Sequence, residues 1–331
     1  MGMQEEAERP TLSVVMCTFN GERFVAEQLE SILTQTVTPD EIIISDDGSS
    51  DSTLAVVDKV RQASEVPVRW DIQTRENPLG PAKNFESALK RATGDVIALA
   101  DQDDVWMPHK LETLTAALTN TAGALLVHSD GRLIDEAGRR GTTLMKTLAL
   151  TREEKHHLRS GRAIRALLKR NVVTGATMVI SRKLLDTALP IPDGWVHDEW
   201  LAVIAALQDG VVFNEGLLIS YRQHSGNVIG AQQLAPAIAQ ERLAESRTAF
   251  SARKALRNEA LAALAMQQPR WLAAHHAEAL RAKVDFDASR AKLPHWHLAR
   301  VFPVVQSVLA GHYRNYARGW IDVIRDLSLR S

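Results

Sequence analysis

The sequence predicts an α/β chain: a mostly parallel sheet flanked by helices, followed by a helical C-terminal extension. Three observations carry this. From Thr11 to Leu118, short apolar runs of strand length alternate with segments of helical spacing. Polar clusters punctuate the C-terminal ends of three runs: Thr18-Phe19-Asn20, Asp46-Asp47-Gly48 and Asp101-Gln102-Asp103-Asp104. From about Ala235 only helical patterns remain, with turns near Pro269, Pro294 and Pro303.

Thr11–Cys17 reads as a strand buried on both faces, ended by Thr18–Gly21. Glu22–Thr36 has helical spacing, with Phe24, Leu29, Ile32 and Leu33 on one side. Glu41–Ser45 is a second buried strand, and Ser50 or Asp51 can cap the helix beginning near Thr53. Val68–Gln73 is a third strand, Pro81–Ala92 a helix and Asp95–Ala100 a fourth strand. Pro108 opens the next helix, where its missing N–H has no helical partner to lose. Ala124–His128 is strand-like, Thr151–Lys169 helical and charged, and Asn171–Ile180 strand-like, with Gly175 permitting a close approach. Gly194–Trp200 leads into an apolar helix, Leu201–Leu207. Val211–Phe213 and Leu217–Tyr221 are short strands before a polar loop, Tyr221–Asn227.

The 331 residues are 45% hydrophobic and 24% charged, enough for one large core or two smaller domains. A single cysteine, Cys17, excludes an intrachain disulfide and a multi-cysteine zinc site, and fits a reducing compartment. Residues 1–10 carry Glu5, Glu6 and Glu8 and no leader-like apolar run, so they are expected to be disordered. No apolar run is long enough to span a bilayer. The net charge of −1 is uneven: residues 231–331 hold 15 Lys and Arg against 8 Asp and Glu, a basic arm on an acidic body.

Ligands of parallel sheets bind at the C-terminal strand ends, where all three polar clusters fall. Unpaired carboxylates at Asp101, Asp103 and Asp104 repel one another, and a divalent cation such as Mn2+ or Mg2+ relieves that cost. The structural alternative is an acidic segment favouring the following helix through its dipole. Neither G-x-G-x-x-G nor a phosphate loop of the G-x-x-x-x-G-K type occurs, so a bound phosphate would be held by metal and side chains.

Taken together, Ser13–Asn20, Ile44-Ser-Asp46-Asp47-Gly48-Ser49 and Gly94–Asp104 resemble, in order and spacing, the nucleotide-sugar half of family 2 glycosyltransferases, which have the GT-A fold. His197-Asp198-Glu199-Trp200 and Tyr221-Arg222-Gln223-His224 resemble its bacterial rhamnosyltransferase-like branch. The resemblance covers about residues 11–230, expected to be the GT-A domain, with 231–331 a helical region. It implies inverting, metal-dependent transfer of a sugar from a nucleoside diphosphate to a saccharide or lipid-linked saccharide, in cell-surface polysaccharide synthesis.

The resemblance assigns metal contact to Asp103 and Asp104, with Asp101 in the same shell or on the ribose, and offers His224 to the metal or diphosphate. It puts Cys17, Thr18, Phe19 and Asn20 around the nucleoside, and Asp46, Asp47 and Gly48 beside them. Asp47 would accept from a uracil or thymine imide, favouring dTDP-rhamnose or a UDP-sugar. Lys83, Asn84, Gln102 and Arg222 are further donor contacts, Arg222 as a diphosphate clamp. Asp198 is the expected general base and Glu199 its runner-up, with Trp195 and Trp200 an apolar wall against the acceptor. Each has a plain alternative: core packing for Phe19, a turn and cap for Asp46 and Asp47, a solvated helix face for Lys83 and Asn84, and an N-cap for Asp198. His128 and His197 read as structural or supporting groups. The apolar, aromatic segment around Trp296–Leu309, with Tyr313, Tyr316 and Trp320, predicts peripheral contact with the inner face of the cell membrane from the cytoplasm, or alternatively a helical cap or a homodimer contact. No nucleic acid partner is expected. Rival readings are a haloacid-dehalogenase-like phosphatase, whose nucleophile loop would lie on the first strand, a nucleotidyltransferase, and an inactive nucleotide-sugar-binding subunit.

Overall fold

The computed structural model describes residues 9–224, 247–267 and 271–328. Strands β1 (Leu12–Thr18), β2 (Glu41–Asp46), β3 (Arg69–Thr74) and β4 (Val96–Asp101) alternate with helices α1 (Val25–Leu33), α2 (Thr53–Ala63) and α3 (Pro81–Leu89). The four strands pair in parallel in the order β3-β2-β1-β4. Along β1, Val14 and Met16 enter one apolar core and Val15 enters the core on the other side. Burial of both faces is why this strand reads as an unbroken apolar run.

Beyond β4 the sheet becomes mixed, so "mostly parallel" describes its first half. The elements are β5 (Val105–Trp106), α4 (Lys110–Asn120), β6 (Leu126–Ile134), β7 (Arg140–Thr143), α5 (Leu144–Thr147), α6 (Arg152–Arg159), α7 (Ile164–Leu167), β8 (Met178–Ser181), α8 (Leu185–Ala188), α9 (His197–Ala206) and β9 (Val211–Arg222). β8 runs antiparallel between β4 and β6, β9 lies parallel to β6, and β5 pairs antiparallel with β9. The β6–β7 hairpin, absent from the sequence reading, turns where Asp135 accepts the N–H groups of Ala137 and Arg139.

The expected helix 151–169 is two helices, because the chain reverses through Gly161 at φ +69°. The two expected strands at 211–221 are one strand, with an irregularity where Asn214 Oδ1 accepts the Gly216 N–H at 2.8 Å.

The C-terminal region is helical as expected: α10 (Arg247–Gln267), α11 (Ala277–Ala291), α12 (His297–Leu309), α13 (His312–Tyr316) and α14 (Trp320–Ser328). Leu261, Ala265 and Leu280 join the core of the sheet domain, so α10 and α11 pack on it. Phe286, Val304, Tyr313 and Val323 form a separate small core. The disorder expected at the N-terminus and the loop Ser225-Gly226-Asn227 fall outside the described residues, apart from Arg9 and Pro10. Among the described residues no helix is long and apolar enough to cross a membrane.

Candidate active site

Parallel register brings the strand ends together: Cys17 lies beside Ser45 on β2 and Asp101 on β4, and Thr18 beside Asp46. Asp46 is fully buried and accepts from Thr18 Oγ1 at 2.7 Å, Ser49 Oγ at 2.6 Å, Thr74 Oγ1 at 3.0 Å and the Ser49 N–H at 2.9 Å. Its carboxylate shapes the loop. Asp47 accepts the Leu79 and Gly80 N–H groups, one on each oxygen, at 2.8 Å. Gly48 turns at φ +86° and Asn20 at +48°, with Asn20 Oδ1 accepting the Ser50 N–H at 2.9 Å. Gln102 brackets Phe19: its Oε1 accepts the Phe19 N–H at 2.9 Å and its Nε2 donates to the Phe19 carbonyl at 3.0 Å. The Phe19 ring is 46% exposed, against the packing reading. Burial, then Asp101 and Asp47, push the Cys17 thiol well above its usual range.

The acidic loop is mostly buried. Asp104 is fully buried; its Oδ1 accepts the Arg222 N–H at 2.9 Å, while Oδ2 has no hydrogen-bond partner among the described residues. Asp103 Oδ2 lies 2.7 Å from His224 Nε2. Burial, then Asp103 and Asp198, push Asp101 up to about 7. Burial, then Asp103 and Asp101, hold Asp104 well above the carboxylate range. The residues therefore fit a divalent cation: an orphaned buried oxygen, repelling carboxylates and an imidazole are the donor set that Mn2+ or Mg2+ takes.

Asp198 stands in the first turn of α9. Its Oδ2 accepts the Gly175 N–H at 3.1 Å, and its Oδ1 accepts Asn171 Nδ2 at 3.3 Å and the Glu199 N–H at 2.6 Å. Burial, then Glu199, push it up to about 7. A Cβ on Gly175 would sit 2.9 Å from His197 Nε2 and 3.3 Å from Asp198 Cβ, so only glycine lets the backbone come this close. His197 stacks on Phe85 at 3.8 Å and is held neutral by burial, at about 3, as is His128.

Other expected contacts are committed elsewhere. Asn84 is buried and exchanges two hydrogen bonds with Ser45, pinning α3 to β2. Lys83 Nζ donates to the Ile191 carbonyl at 2.6 Å and pairs with Glu86 at 3.2 Å. The Arg222 guanidinium is buried: it donates to the Asp103 carbonyl at 2.8 Å and pairs with Glu27 at 2.5 Å, bracing the acidic loop rather than reaching out as a clamp. Glu199 is taken by Arg257 of α10. Trp200 is 1% exposed, with Nε1 on the Ala188 carbonyl at 2.6 Å. Trp195 is buried with its ring 5.1 Å from that of Trp200 and Arg257 4.1 Å over its face. Both tryptophans are core residues, because α10 and α8 cover the face expected to meet the acceptor.

The sequence reading missed Lys110. Its Nζ is buried 3.6 Å over the Trp106 ring and donates to the Ala176 carbonyl at 2.6 Å. It is the cation acting on both Asp101 and Asp104, and it pins the turn that presents the Gly175 N–H to Asp198. The signal was its place on the buried stripe Lys110, Leu111, Leu114, Leu118. A separate close-set group, Asp209, His275 and His276, lies at the opposite edge of the sheet, ahead of β9; Asp209 pairs with His276 at 2.7 Å and His275 at 3.2 Å.

The phosphatase reading lapses here, because the acidic loop follows β4 rather than the first strand. Comparison with known proteins agrees. UDP-Glc:alpha-D-GlcNAc-diphosphoundecaprenol beta-1,3-glucosyltransferase WfgD of Escherichia coli is 36% identical over 101 residues, 30% of this chain and 38% of that protein. The chain spans less than half the length of several curated relatives it matches. The crystal structure of S. aureus TarS 1–349 in complex with UDP-GlcNAc aligns with a TM-score of 0.57 at 18% identity, over 95% of this chain and 90% of that one. The mannosyltransferase PcManGT from Pyrobaculum calidifontis, in complex with GDP-Man and Mn2+, aligns at 0.54 and 16% identity, over 97% and 86%. These two likenesses establish the GT-A fold. The model of glycosyl transferase family 2 matches residues 13–189, more than half of the chain, and the chain belongs to that family.

Proposed function

We propose that this chain is an inverting glycosyltransferase that moves a sugar from a pyrimidine nucleoside diphosphate to a saccharide carried on a lipid, in cell-surface polysaccharide synthesis on the cytoplasmic side of the membrane. The observation that supports this furthest is the gathering of carboxylates from two parts of the chain. Asp103 Oδ2 meets His224 Nε2 at 2.7 Å, buried Asp104 Oδ2 has no hydrogen-bond partner among the described residues, and Asp198 is tied to the same place through the Gly175–Ala176 turn that Lys110 holds.

Phe19, fixed through its backbone by Gln102, stacks on the base, and Thr18 and Cys17 line the same strand end. Asp47 keeps a lone pair on each oxygen beyond those taken by Leu79 and Gly80, and accepts from the base imide. Asp103, Asp104 and His224 hold Mn2+ or Mg2+, with Asp101 beside them. When bound, the ion supplies Lewis-acid stabilisation of the charge growing on the leaving diphosphate. Asp198, oriented by Gly175 and Asn171, takes the proton of the acceptor hydroxyl. The acceptor oxygen bonds to the anomeric carbon as the bond to the diphosphate oxygen breaks on the opposite face, which inverts the centre. A carboxylate near 7 is a stronger base than an ordinary one and is still half ionised at neutral pH.

The E. coli relative is named for UDP-Glc and a diphosphoundecaprenol-linked acceptor, and TarS was crystallised with UDP-GlcNAc. These names favour a UDP-sugar, with dTDP-rhamnose the other pyrimidine donor. PcManGT, solved in complex with GDP-Man, marks the base as something the fold alone leaves open. The test measures nucleoside diphosphate release from UDP-sugars, dTDP-rhamnose and GDP-mannose, with and without Mn2+. Metal-dependent release of UDP or dTDP, lost in Asp198→Asn with donor binding retained, is expected. Release indifferent to chelator removes the metal assignment, and near-normal turnover in Asp198→Asn removes the base.

A further inference from the structure

We propose that the outward face of α12 and α14 seats the protein on an anionic phospholipid bilayer. The purpose of such a seat rests on the lipid-linked acceptor reading; the observations behind it do not.

Exposed apolar residues are concentrated here. On α12, Leu298, Val301, Phe302, Val305 and Leu309 recur at helical spacing, and all are exposed, Leu298 and Leu309 by more than four-fifths. On α14, Trp320, Ile321 and Ile324 are exposed by 61% or more. Nine of the thirteen large hydrophobic residues exposed among the described residues lie on these two helices or at Trp296 just before them. Such a contiguous patch marks an interaction surface rather than the scatter of single apolar groups that any protein shows. The inner face of α12 is already satisfied: Val304 enters the small core and Arg300, the helix's only Lys, Arg, Asp or Glu, is fully buried. Apart from His297 and Gln306, the exposed residues of α12 are apolar or alanine, and none is Lys, Arg, Asp or Glu.

The charges around the face select the partner. Between Ala288 and Ser328 the carboxylates are Asp322 and Asp326, both fully buried, where Arg290 pairs with Asp326 at 2.6 Å. The exposed Lys and Arg residues of the same stretch are Lys292, Arg314 and Arg318. Within this stretch the apolar face is bordered by exposed cations and no exposed carboxylate, Glu153 of α6 pairing with Arg314 at 3.6 Å, and the net cationic border matches the acyl boundary and headgroups of an anionic leaflet. A second copy of the chain would set the same cations against themselves. Trp296 and Trp320, 80% and 71% exposed, supply the amphipathic rings that favour headgroup depth. With 13 residues, α12 is too short to span and would lie in the surface plane. Tyr313 and Tyr316, expected in this surface from sequence, belong to the fold: Tyr313 is buried with its hydroxyl on Asp326 at 2.7 Å, and Tyr316 packs against Phe286. At the edge of the face, Trp320 and Ile321 border a cavity of about 530 Å3, where Lys169, Arg170, Arg314 and Arg318 outnumber Glu153 and Glu154.

The test is flotation of the full chain with phosphatidylcholine vesicles and with vesicles containing about one-third phosphatidylglycerol. Binding to the anionic vesicles is expected, weaker by about tenfold or more on phosphatidylcholine alone. The double variant Phe302→Glu/Ile324→Glu should lose anionic-vesicle binding by at least about tenfold. Both positions are exposed, so its melting temperature and UDP binding should stay as in the wild type. Arg314→Gln/Arg318→Gln should narrow the preference for anionic lipid. Absence of wild-type binding overturns the proposal, as does undiminished binding by the glutamate variant. A dimer in light scattering that the glutamate variant dissociates, without vesicle binding, makes the face a self-interface and also overturns it. A protein inactive on every donor yet bound to vesicles would leave this surface standing and remove the transferase reading.

Discussion

His224 Nε2 meets Asp103 Oδ2 at 2.7 Å across 121 positions of chain, closing the acidic loop with the end of β9. A group that orients a ligating carboxylate, or ligates beside it, is worth about 10–100-fold in metal affinity. His224→Ala should therefore raise the Mn2+ concentration for half-maximal turnover by about that factor. Turnover titrated with Mn2+ checks this, and an unchanged midpoint would remove His224 from the metal site.

Asp198, raised to about 7 by burial and then Glu199, works as a base only when ionised. Turnover should climb with pH through about 7, and Asp198→Asn should abolish the ascending limb together with the rate. A pH–rate profile of both proteins, with donor binding measured separately, decides it.

Stability should run the opposite way. Asp101 and Asp198 keep protons near pH 7 when folded that the unfolded chain releases near 4. Their raised values contribute stability at low pH that is lost as pH rises from the unfolded to the folded range. Buried neutral His128 and His197 act in the opposite sense below about 6.5, so the comparison is with Asp198→Asn, which keeps both: relative to that variant the metal-free protein should melt lower at pH 7.5 than at pH 5.5. Mn2+ should raise the melting point more at the higher pH, where the carboxylates are ionised. A metal-free difference from Asp198→Asn that does not fall over this interval would contradict the arrangement.

Lys110 is the buried countercharge of Asp101 and Asp104. Lys110→Met removes the cation that acts on both groups and leaves the buried Ala176 carbonyl without its donor, which should cost about 1–3 kcal/mol. Denaturant unfolding measures the loss, and added Mn2+ should restore part of it.

Trp200 fills the core and donates to the Ala188 carbonyl. Trp200→Ala should destabilise by about 3–5 kcal/mol through the cavity it leaves. In the fraction that remains folded, acceptor KM should not change. A raised KM with normal stability would return Trp200 to the acceptor.

The sequence by itself determined the alternation of strands and helices through β4, the carboxylate loop at its end, Asp198 at the opening of α9, and the helical C-terminal region. Those features follow from local periodicity and from residue types with few other uses, which a linear chain displays directly. Only the tertiary structure decided which polar groups are spent inside the protein. Asn84, Lys83, Arg222 and Glu199 look available on paper, yet each meets a partner brought by a distant element: Ser45, Ile191, Glu27 and Arg257. Trp200 turned from wall to core because α8 lies over it, and Lys110 became the charge at the centre because the buried face of α4 turns beneath the acidic loop. Desolvation and long-range pairing depend on what covers a side chain, and that is fixed when the sheet and its helices close on one another.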